Sequence, residues 1–191
     1  MAPQRLRTNR LVIHSITGQH LRFLLRLWND VEVMRYAGSA RDWSYGRMKE
    51  WYERYQQRIA RFGTTETQFV CRLKQGKLIG ESGLGRLSAS WGCRHYRTPK
   101  GKMAVMADVK LLRLFWNQGY GTEAMRAVVE YVFRRTDADL FLVPPHRDNP
   151  AAVRVYQKVG FRKTEGSYYR RHIIYEMTKQ EFDRRFTDTK T

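Results

Sequence analysis

The stretch from Val109 to Phe161 constrains the fold more than any other part of this 191-residue chain. It reads VKLLRLFWNQGYGTEAMRAVVEYVFRRTDADLFLVPPHRDNPAAVRVYQKVGF. An apolar run meets a tight turn at Gly119–Gly121, and a helical pattern, a short apolar strand and a second helix ending at Gly160 follow. The stretch therefore predicts strand, glycine turn, helix, strand, helix, and the rest of the chain must build a sheet around it.

The flanking segments predict the remaining strands and helices. Alternation of apolar and polar residues indicates strands over 5–16, 68–74, 78–87 and 102–112, and a terminal hairpin over 161–169 and 172–178. The glycines of the third strand, Gly80, Gly83 and Gly85, indicate bulges or close backbone approach. Helical spacing predicts helices near 18–28, from 31 to 36, over about 43–61 and at 179–186. The aromatic stripe of the long helix is interpreted mainly as core packing.

Length and composition bound the class of protein. One domain over residues 1–191 is expected at this size. No apolar run approaches the roughly 20 residues that span a membrane, and the N-terminus lacks the apolar core of a signal peptide. Cys71 and Cys93 are too few for a disulfide framework, so a cytoplasmic protein with reduced thiols fits best. The five histidines are scattered without ligand spacing, and no metal site is predicted.

The charge is the unusual property of the composition. Thirty-six Lys and Arg residues against 18 Asp and Glu residues give a net charge of +18. Such a field favours anionic partners such as nucleic acid, the ribosome or a polyphosphate cofactor, although a solvated basic surface explains it equally well. The basic loop over 88–101 is interpreted as a substrate lip, as a plain hairpin connection, or as a nucleic-acid contact through Arg94, His95, Tyr96 and Arg97.

Three interpretations compete for the glycine turn. A nucleotide P-loop requires a lysine that Gly121-Thr122-Glu123 lacks. A dinucleotide site fits the pattern Gly119-x-Gly121-x-x-Ala124, but its ribose-binding acid should follow the next strand, whereas Asp137 and Asp139 precede it. A cradle of backbone amides at a helix N-terminus binds phosphate without any lysine.

The second helix decides among these interpretations. Asn149 and Tyr156 are seven residues apart, so both project from about the same face toward one ligand. The segments FWNQGYGTEAM and DNPAAVRVYQKVGF together resemble the GNAT superfamily of acetyl-CoA-dependent N-acetyltransferases. The opening of the chain is similar to the ribosomal-protein N-terminal acetyltransferase branch. The segment PPHRDNPAAVRVYQKVGF and the ending YEMTKQEFDRRF are similar to aminoglycoside 6'-N-acetyltransferases. Trp116 departs from the family, which usually has Arg or Gln three residues before the first glycine.

The resemblance implies a fold, a co-substrate and a set of binding residues. The expected fold is α+β, with three layers, α/β/α, around a mixed, mostly antiparallel sheet of about 6–7 strands. Acetyl-CoA is the implied co-substrate, without a metal. Backbone amides would hold its pyrophosphate, strand backbone would bind its pantetheine arm, and Asn149 would contact that arm from the other side. The pyrophosphate cradle would comprise Gln118, Gly119, Tyr120, Gly121 and Thr122, and the strand contacts Leu111 and Leu112.

The resemblance also implies the catalytic groups, and it leaves one choice open. Tyr156 would protonate the departing thiolate, and a strand amide near Val109 to Leu111 would hold the oxyanion. Asp108 or Glu81 would be the base that accepts the proton of the amine. Glu123 is interpreted as complementing the helix dipole.

The acceptor amine is not identified by any motif. A protein N-terminus, an aminoglycoside or polyamine, and an RNA-linked amine remain open, as does a non-catalytic protein that binds RNA or the ribosome. A chain of +18 repels a polycation unless its cleft is locally acidic. The oligomeric state is not predicted.

Overall fold

The computed structural model describes residues 4–37, 42–87, 98–168 and 171–187. Within these ranges the chain forms one nine-stranded sheet and six α-helices. The strands are β1 (Arg5–Arg7), β2 (Leu11–Ser15), β3 (Thr67–Leu73), β4 (Leu78–Arg86), β5 (Ala104–Ala107), β6 (Lys110–Leu111), β7 (Leu140–Val143), β8 (Arg162–Tyr168) and β9 (His172–Thr178). The helices are α1 (Leu21–Trp28), α2 (Val31–Met34), α3 (Tyr45–Phe62), α4 (Tyr120–Arg135), α5 (Pro150–Val159) and α6 (Lys179–Thr187).

The sheet is mixed and mostly antiparallel. Its strand order is β1-β2-β3-β4-β5-β7-β9-β8, and β6 pairs with β4 beside this path. Only β5 and β7 run parallel, and they pair from Ala104 opposite Leu140 to Met106 opposite Leu142. After that point β6 pairs with β4 alone, through Gly80 opposite Leu111 and Glu81 opposite Lys110. The two parallel strands therefore part at their carboxyl ends, and a gap opens between β6 and the segment that follows β7.

The described buried residues form three core clusters, a small one around Met106 and Leu142 and two larger ones on opposite faces of the sheet. Side chains that alternate along β3 separate them, since Phe69 and Cys71 join the cluster under α4, α5 and α6, whereas Val70 joins the cluster under α1, α2 and α3. Helix α4 contributes seven buried residues to the first cluster. The predicted α+β class with three layers is confirmed.

The sheet has nine strands instead of about seven because two predicted strands are interrupted. The strand predicted over 5–16 turns at residues 8–10, where Thr8 donates its amide to the Leu11 carbonyl. The strand predicted over 102–112 is interrupted at Asp108 and Val109. There the Asp108 amide reaches the Gly83 carbonyl at 3.3 Å, and the Ser82 hydroxyl donates to the Asp108 carbonyl at 2.6 Å.

Gly80 allows β6 to lie against β4 at this interruption. A Cβ at Gly80 would collide with the backbone carbonyl of Lys110 and with the Leu111 side chain. The close backbone approach predicted for the glycines of this strand is confirmed at this position.

Candidate active site

A cavity of about 860 Å³ opens where β5 and β7 part. Its walls come from the α1–α2 region, the interrupted strand over 106–111, the N-terminus of α4, the segment over 144–146 and one face of α5. The other edge of β6 faces this space without a strand partner in the part of the chain that the structure describes. Backbone donors and acceptors along this edge therefore face the cavity and not a neighbouring strand.

The N-terminus of α4 forms one end of the cavity. Gly119 is the N-cap residue, with φ 81° and ψ −4°, a left-handed conformation that favours glycine. Gly119, Gly121 and Thr122 line the cavity. The first amides of an α-helix lack an intrahelical acceptor and carry partial positive charge, so this end of the cavity suits an anion.

Two predicted cradle residues, Gln118 and Tyr120, turn their side chains elsewhere. The Gln118 amide group donates to the Leu114 carbonyl at 2.7 Å. The Tyr120 ring packs against Phe115 and beneath the guanidinium of Arg10, 4.2 Å from the ring centre. Neither residue is among those that line the cavity, and the backbone role that the resemblance assigns to them stays a prediction.

Arg10 is a residue at this end that the sequence did not single out. Its guanidinium donates to the Gln118 carbonyl at 2.9 Å and to Glu123 at 2.7 Å, and its amide donates to Glu123 at 2.7 Å. Thr8 donates its hydroxyl to the same carboxylate at 2.5 Å. Glu123 thus fastens the turn between β1 and β2 to the first turn of α4. No sequence signal links residues 113 positions apart.

Trp116, the residue that departs from the family pattern, also lines the cavity. Its indole N–H donates to the Leu111 carbonyl at 2.7 Å, which holds the loop before α4 against β6. Leu111 lines the cavity as well, whereas Leu112 packs into the core under α1, α2 and α3. The Leu112 amide is bonded to the Ile79 carbonyl at 2.8 Å. The structure therefore brings Leu111, but not Leu112, to the cavity.

The two carboxylates predicted as alternative bases meet at one lysine. Lys110 Nζ lies 2.9 Å from Glu81 Oε1 and 2.6 Å from Asp108 Oδ2. Glu81 is fully buried and also accepts hydrogen bonds from the Trp28 indole, at 3.3 Å, and from the Gln68 amide. The Asp108 side chain is 40% exposed and lines the cavity. Lys110 was missed by sequence reasoning, although its position two residues after Asp108 on the same strand face was a usable signal.

Burial and charge set the protonation of this cluster. Burial raises the pKa of Glu81 above its usual range, and the adjacent Lys110 ammonium partly offsets this. Burial alone would lower the pKa of Lys110, but the Asp108 and Glu81 carboxylates outweigh it and raise that pKa. Lys110 therefore stays cationic and holds the two carboxylates in fixed positions.

Tyr156 and Asn149 lie on the cavity side of α5. Tyr156 is 4% exposed and packs edge-on against Phe161. Burial, followed by the nearby Asp108 carboxylate, raises the pKa of the Tyr156 phenol, and a hydrogen bond with the Val109 backbone opposes this. Asn149 caps α5, since its side-chain oxygen accepts the Ala152 amide at 3.1 Å. Both residues line the same cavity, as their spacing of seven predicted.

The acids that weakened the dinucleotide interpretation lie away from the cavity. Asp139 precedes β7 and accepts from the Met103 amide at 2.8 Å and from Lys102 at 2.9 Å. Among the described residues, no group of three or more His, Cys, Asp and Glu side chains is arranged to hold a metal ion. No helix of the described ranges is long and apolar enough to cross a bilayer. Cys93 and the basic contacts predicted at Arg94, His95, Tyr96 and Arg97 lie outside the described residues.

Residues 10–162 match the family model of the acetyltransferase (GNAT) domain. Because this match covers most of the chain, the protein belongs to the GNAT acetyltransferase family. The predicted family and the predicted class of enzyme, an acyltransferase, are confirmed.

Several solved structures have the same fold as this chain. Spermidine N-acetyltransferase from Vibrio cholerae, solved with CoA and spermine, has a TM-score of 0.73 at 16% identity, over 92% of this chain and 99% of that one. Aminoglycoside acetyltransferase AAC(6')-Ib, solved with paromomycin and acetyl-CoA, has a TM-score of 0.76 at 20% identity, over 94% and 99%. FdhC, described as a nucleotide-linked sugar GNAT, has a TM-score of 0.73 at 16% identity, over 95% and 93%.

These neighbours bear on two further predictions from the sequence. The spermidine N-acetyltransferase was solved with CoA, and AAC(6')-Ib was solved with acetyl-CoA, the co-substrate predicted for this chain. Neither the family match nor these neighbours supports the nucleic-acid alternative.

Proposed function

We propose that this protein transfers the acetyl group of acetyl-CoA to a primary amine by direct attack in a ternary complex. One observation carries the proposal. One and the same cavity, where β5 and β7 part, is lined by the helix end at Gly119–Gly121, the buried phenol of Tyr156 and the accessible carboxylate of Asp108.

The residues at the two ends of the cavity fit the co-substrate that the sequence implies. The first amides of α4 suit its pyrophosphate, and the edge of β6 that has no strand partner suits the amides of its pantetheine arm, although Trp116 already donates to the Leu111 carbonyl on that edge. Asn149 contacts the same arm from α5 through its side-chain N–H₂ group, because its oxygen is used as the helix cap. When bound, acetyl-CoA supplies an activated acetyl thioester.

Asp108 is the better base of the two carboxylates. It is accessible from the cavity, whereas Glu81 is fully buried and already accepts from Trp28, Gln68 and Lys110. Asp108 accepts the proton of the incoming ammonium, and the resulting neutral nitrogen attacks the acetyl carbonyl carbon. Glu81 positions Lys110 and, through Lys110, the Asp108 carboxylate.

Tyr156 completes the transfer as the general acid. A strand amide over Val109 to Leu111 stabilises the oxyanion that develops on the acetyl carbonyl. Attack leaves the nitrogen positively charged, and it loses its second proton to solvent as the intermediate collapses. As the carbon–sulfur bond breaks, Tyr156 donates its phenolic proton to the sulfur and then recovers one from solvent, while Asp108 releases the first proton to solvent. A raised pKa keeps this phenol protonated at neutral pH, as a general acid requires.

The proposal is tested by release of the CoA thiol from acetyl-CoA in the presence of a mixed panel of amines, followed with a thiol-reactive dye. Tyr156→Phe is expected to lower kcat about 100-fold, because the acid is lost while the ring still packs against Phe161. The dissociation constant for acetyl-CoA, measured by calorimetry, should change little. Silence of the wild-type protein across peptides, polyamines, aminoglycosides and aminoacyl-tRNA would contradict the proposed function, and unchanged turnover of the variant would contradict the role of Tyr156.

A further inference from the structure

The wall of the cavity opposite the glycine turn is built from flat side chains. Tyr36, His146 and His172 form an aromatic wall, with Trp28, Pro144 and Pro145 next to it. The Tyr36 and His146 rings lie 5.3 Å apart and 34° from parallel, and the His146 and His172 rings lie 5.0 Å apart and nearly perpendicular. His172 Nε2 is 3.1 Å from the Tyr36 carbonyl oxygen, which links β9 to the end of α2. Such a wall offers stacking surface. The Asp148 carboxylate lies 3.9 Å from His146 Nδ1, and Arg171 pairs with it at 2.9 Å.

Each acid that lines the cavity has a basic partner. The lining contains three carboxylates, Glu32, Glu81 and Asp108, and three cations, Lys110, Arg154 and Lys158. Glu81 and Asp108 share Lys110, and Glu32 pairs with Arg35 at 2.7 Å. When all three of its groups are ionised, the Glu81–Lys110–Asp108 cluster keeps one net negative charge. That charge matches one ammonium, and the described lining of the cavity has no unpaired carboxylate left for a second ammonium.

The internal segments that the structure does not describe supply no further acid. The internal segments outside the described ranges are 38–41, 88–97 and 169–170, and none contains Asp or Glu. The net charge of the whole chain is +18. A second ammonium of an acceptor would therefore lose water without gaining a free carboxylate, in a field of its own sign.

We infer that the natural acceptor carries one primary amine and no second cation, and that its flat, uncharged or anionic remainder lies on the aromatic wall formed by Tyr36, His146 and His172. This inference rests on the proposed function and narrows its acceptor. The inferred acceptor differs from the polyamine and the aminoglycoside that are bound in two structures of the same fold.

A charge-graded acceptor panel tests the inference. Tyramine, alanyl-phenylalanine amide and glucosamine phosphate carry one amine each, whereas spermidine and kanamycin carry several. With saturating acetyl-CoA, we expect the best single-amine acceptor to exceed both polycations by at least about tenfold in kcat/KM. Binding of each acceptor to the CoA-loaded protein, measured by calorimetry, should follow the same order. Equal or better turnover and binding of spermidine or kanamycin would overturn the inference and leave the proposed function standing, whereas silence with every amine would overturn both.

A matched pair of variants tests the physical reason. Ala37 lines the cavity mouth and is exposed, so Ala37→Glu adds a carboxylate there without removing a buried side chain. Relative to Ala37→Gln, the glutamate should strengthen spermidine binding roughly fivefold and leave tyramine binding within about twofold. An equal response of both ligands, or no gain for spermidine, would show that absence of acid is not what excludes polycations.

Discussion

Lys110 is the residue that gives the two carboxylates of the site different properties. It lies within 3 Å of both, at 2.9 Å from Glu81 and 2.6 Å from Asp108. The Glu81 carboxylate accepts hydrogen bonds from three donors inside the protein, whereas the Asp108 side chain is accessible. Removing each carboxylate should therefore disturb a different property of the protein.

Asp108→Asn is expected to lower kcat/KM for the amine about 100-fold near neutral pH. The loss should shrink as pH rises toward the pKa of the free amine, about 10 for a lysine-type amine, because the substrate then arrives deprotonated. A pH–rate profile of wild type and variant measures this.

Glu81→Gln is the control for that variant. It should keep the shape of the pH profile and instead lower the free energy of unfolding by about 3 kcal/mol, because a buried charge pair loses one partner. The reverse result, an alkaline shift in Glu81→Gln with a normal Asp108→Asn, would make Glu81 the base.

At the scale of elements, the tie between the β1–β2 turn and α4 holds the glycine turn in place. Thr8 and Arg10 give three hydrogen bonds to Glu123, and Arg10 gives a fourth to the Gln118 carbonyl. Burial alone would raise the pKa of Glu123, but these hydrogen bonds outweigh it and lower that pKa. Glu123 is thus a structural anchor as well as a residue that complements the helix dipole.

Glu123→Gln should lower the free energy of unfolding by about 1–2 kcal/mol at pH 7, because charge-assisted hydrogen bonds are weakened. The lowered pKa in the folded state means that this stabilisation is complete above the pKa of the unfolded chain, near 4.5. It is lost as pH falls through the lower folded value. Urea unfolding at pH 7 and in this acidic range measures it. A deficit of equal size at both pH values would show that packing, not ionisation, is responsible.

The elements themselves were largely predictable, and their interruptions were not. Periodicity placed α3, α4, α5 and the terminal hairpin near their observed bounds, because each depends on local spacing of apolar residues. The breaks at residues 8–10 and 108–109 interrupt continuous alternation. They depend on contacts with Glu123 and Ser82, which lie elsewhere in the chain.

At the scale of the whole molecule, a charge of +18 surrounds a cavity whose lining cations and carboxylates balance. The electrostatic field of the protein therefore acts on molecules that approach it, whereas the cavity lining has no excess of negative charge that would favour a polycation. A polyanionic co-substrate is drawn toward such a protein over distances of about a Debye length.

Electrostatic steering predicts that the association rate constant for acetyl-CoA falls about tenfold between roughly 10 mM and 150 mM salt. The dissociation rate should change less, because the contacts within the cavity stay the same. Stopped-flow fluorescence of the tryptophans measures both rates. Acetylated pantetheine, which lacks the phosphates, is the matched control and should show almost no salt dependence. A flat salt profile for acetyl-CoA would show that the basic surface does not serve the co-substrate.

The sequence by itself determined the family, the glycine turn at Gly119–Gly121 before α4 and the placement of Asn149 and Tyr156 in one cavity, because these depend on backbone and helix spacing over short distances. Tertiary structure decided the roles of Arg10 and Lys110, the absence of Leu112 from the cavity and the balance of charge on its walls. Arg10 meets Glu123 across 113 positions, and Lys110 meets Glu81 across 29. Such contacts depend on sheet register and on strand interruptions, and the local periodicity of the sequence predicts neither. The glycine turn is thus the local feature behind the proposed donor, and the walls of the folded cavity are the basis of the inference about the acceptor.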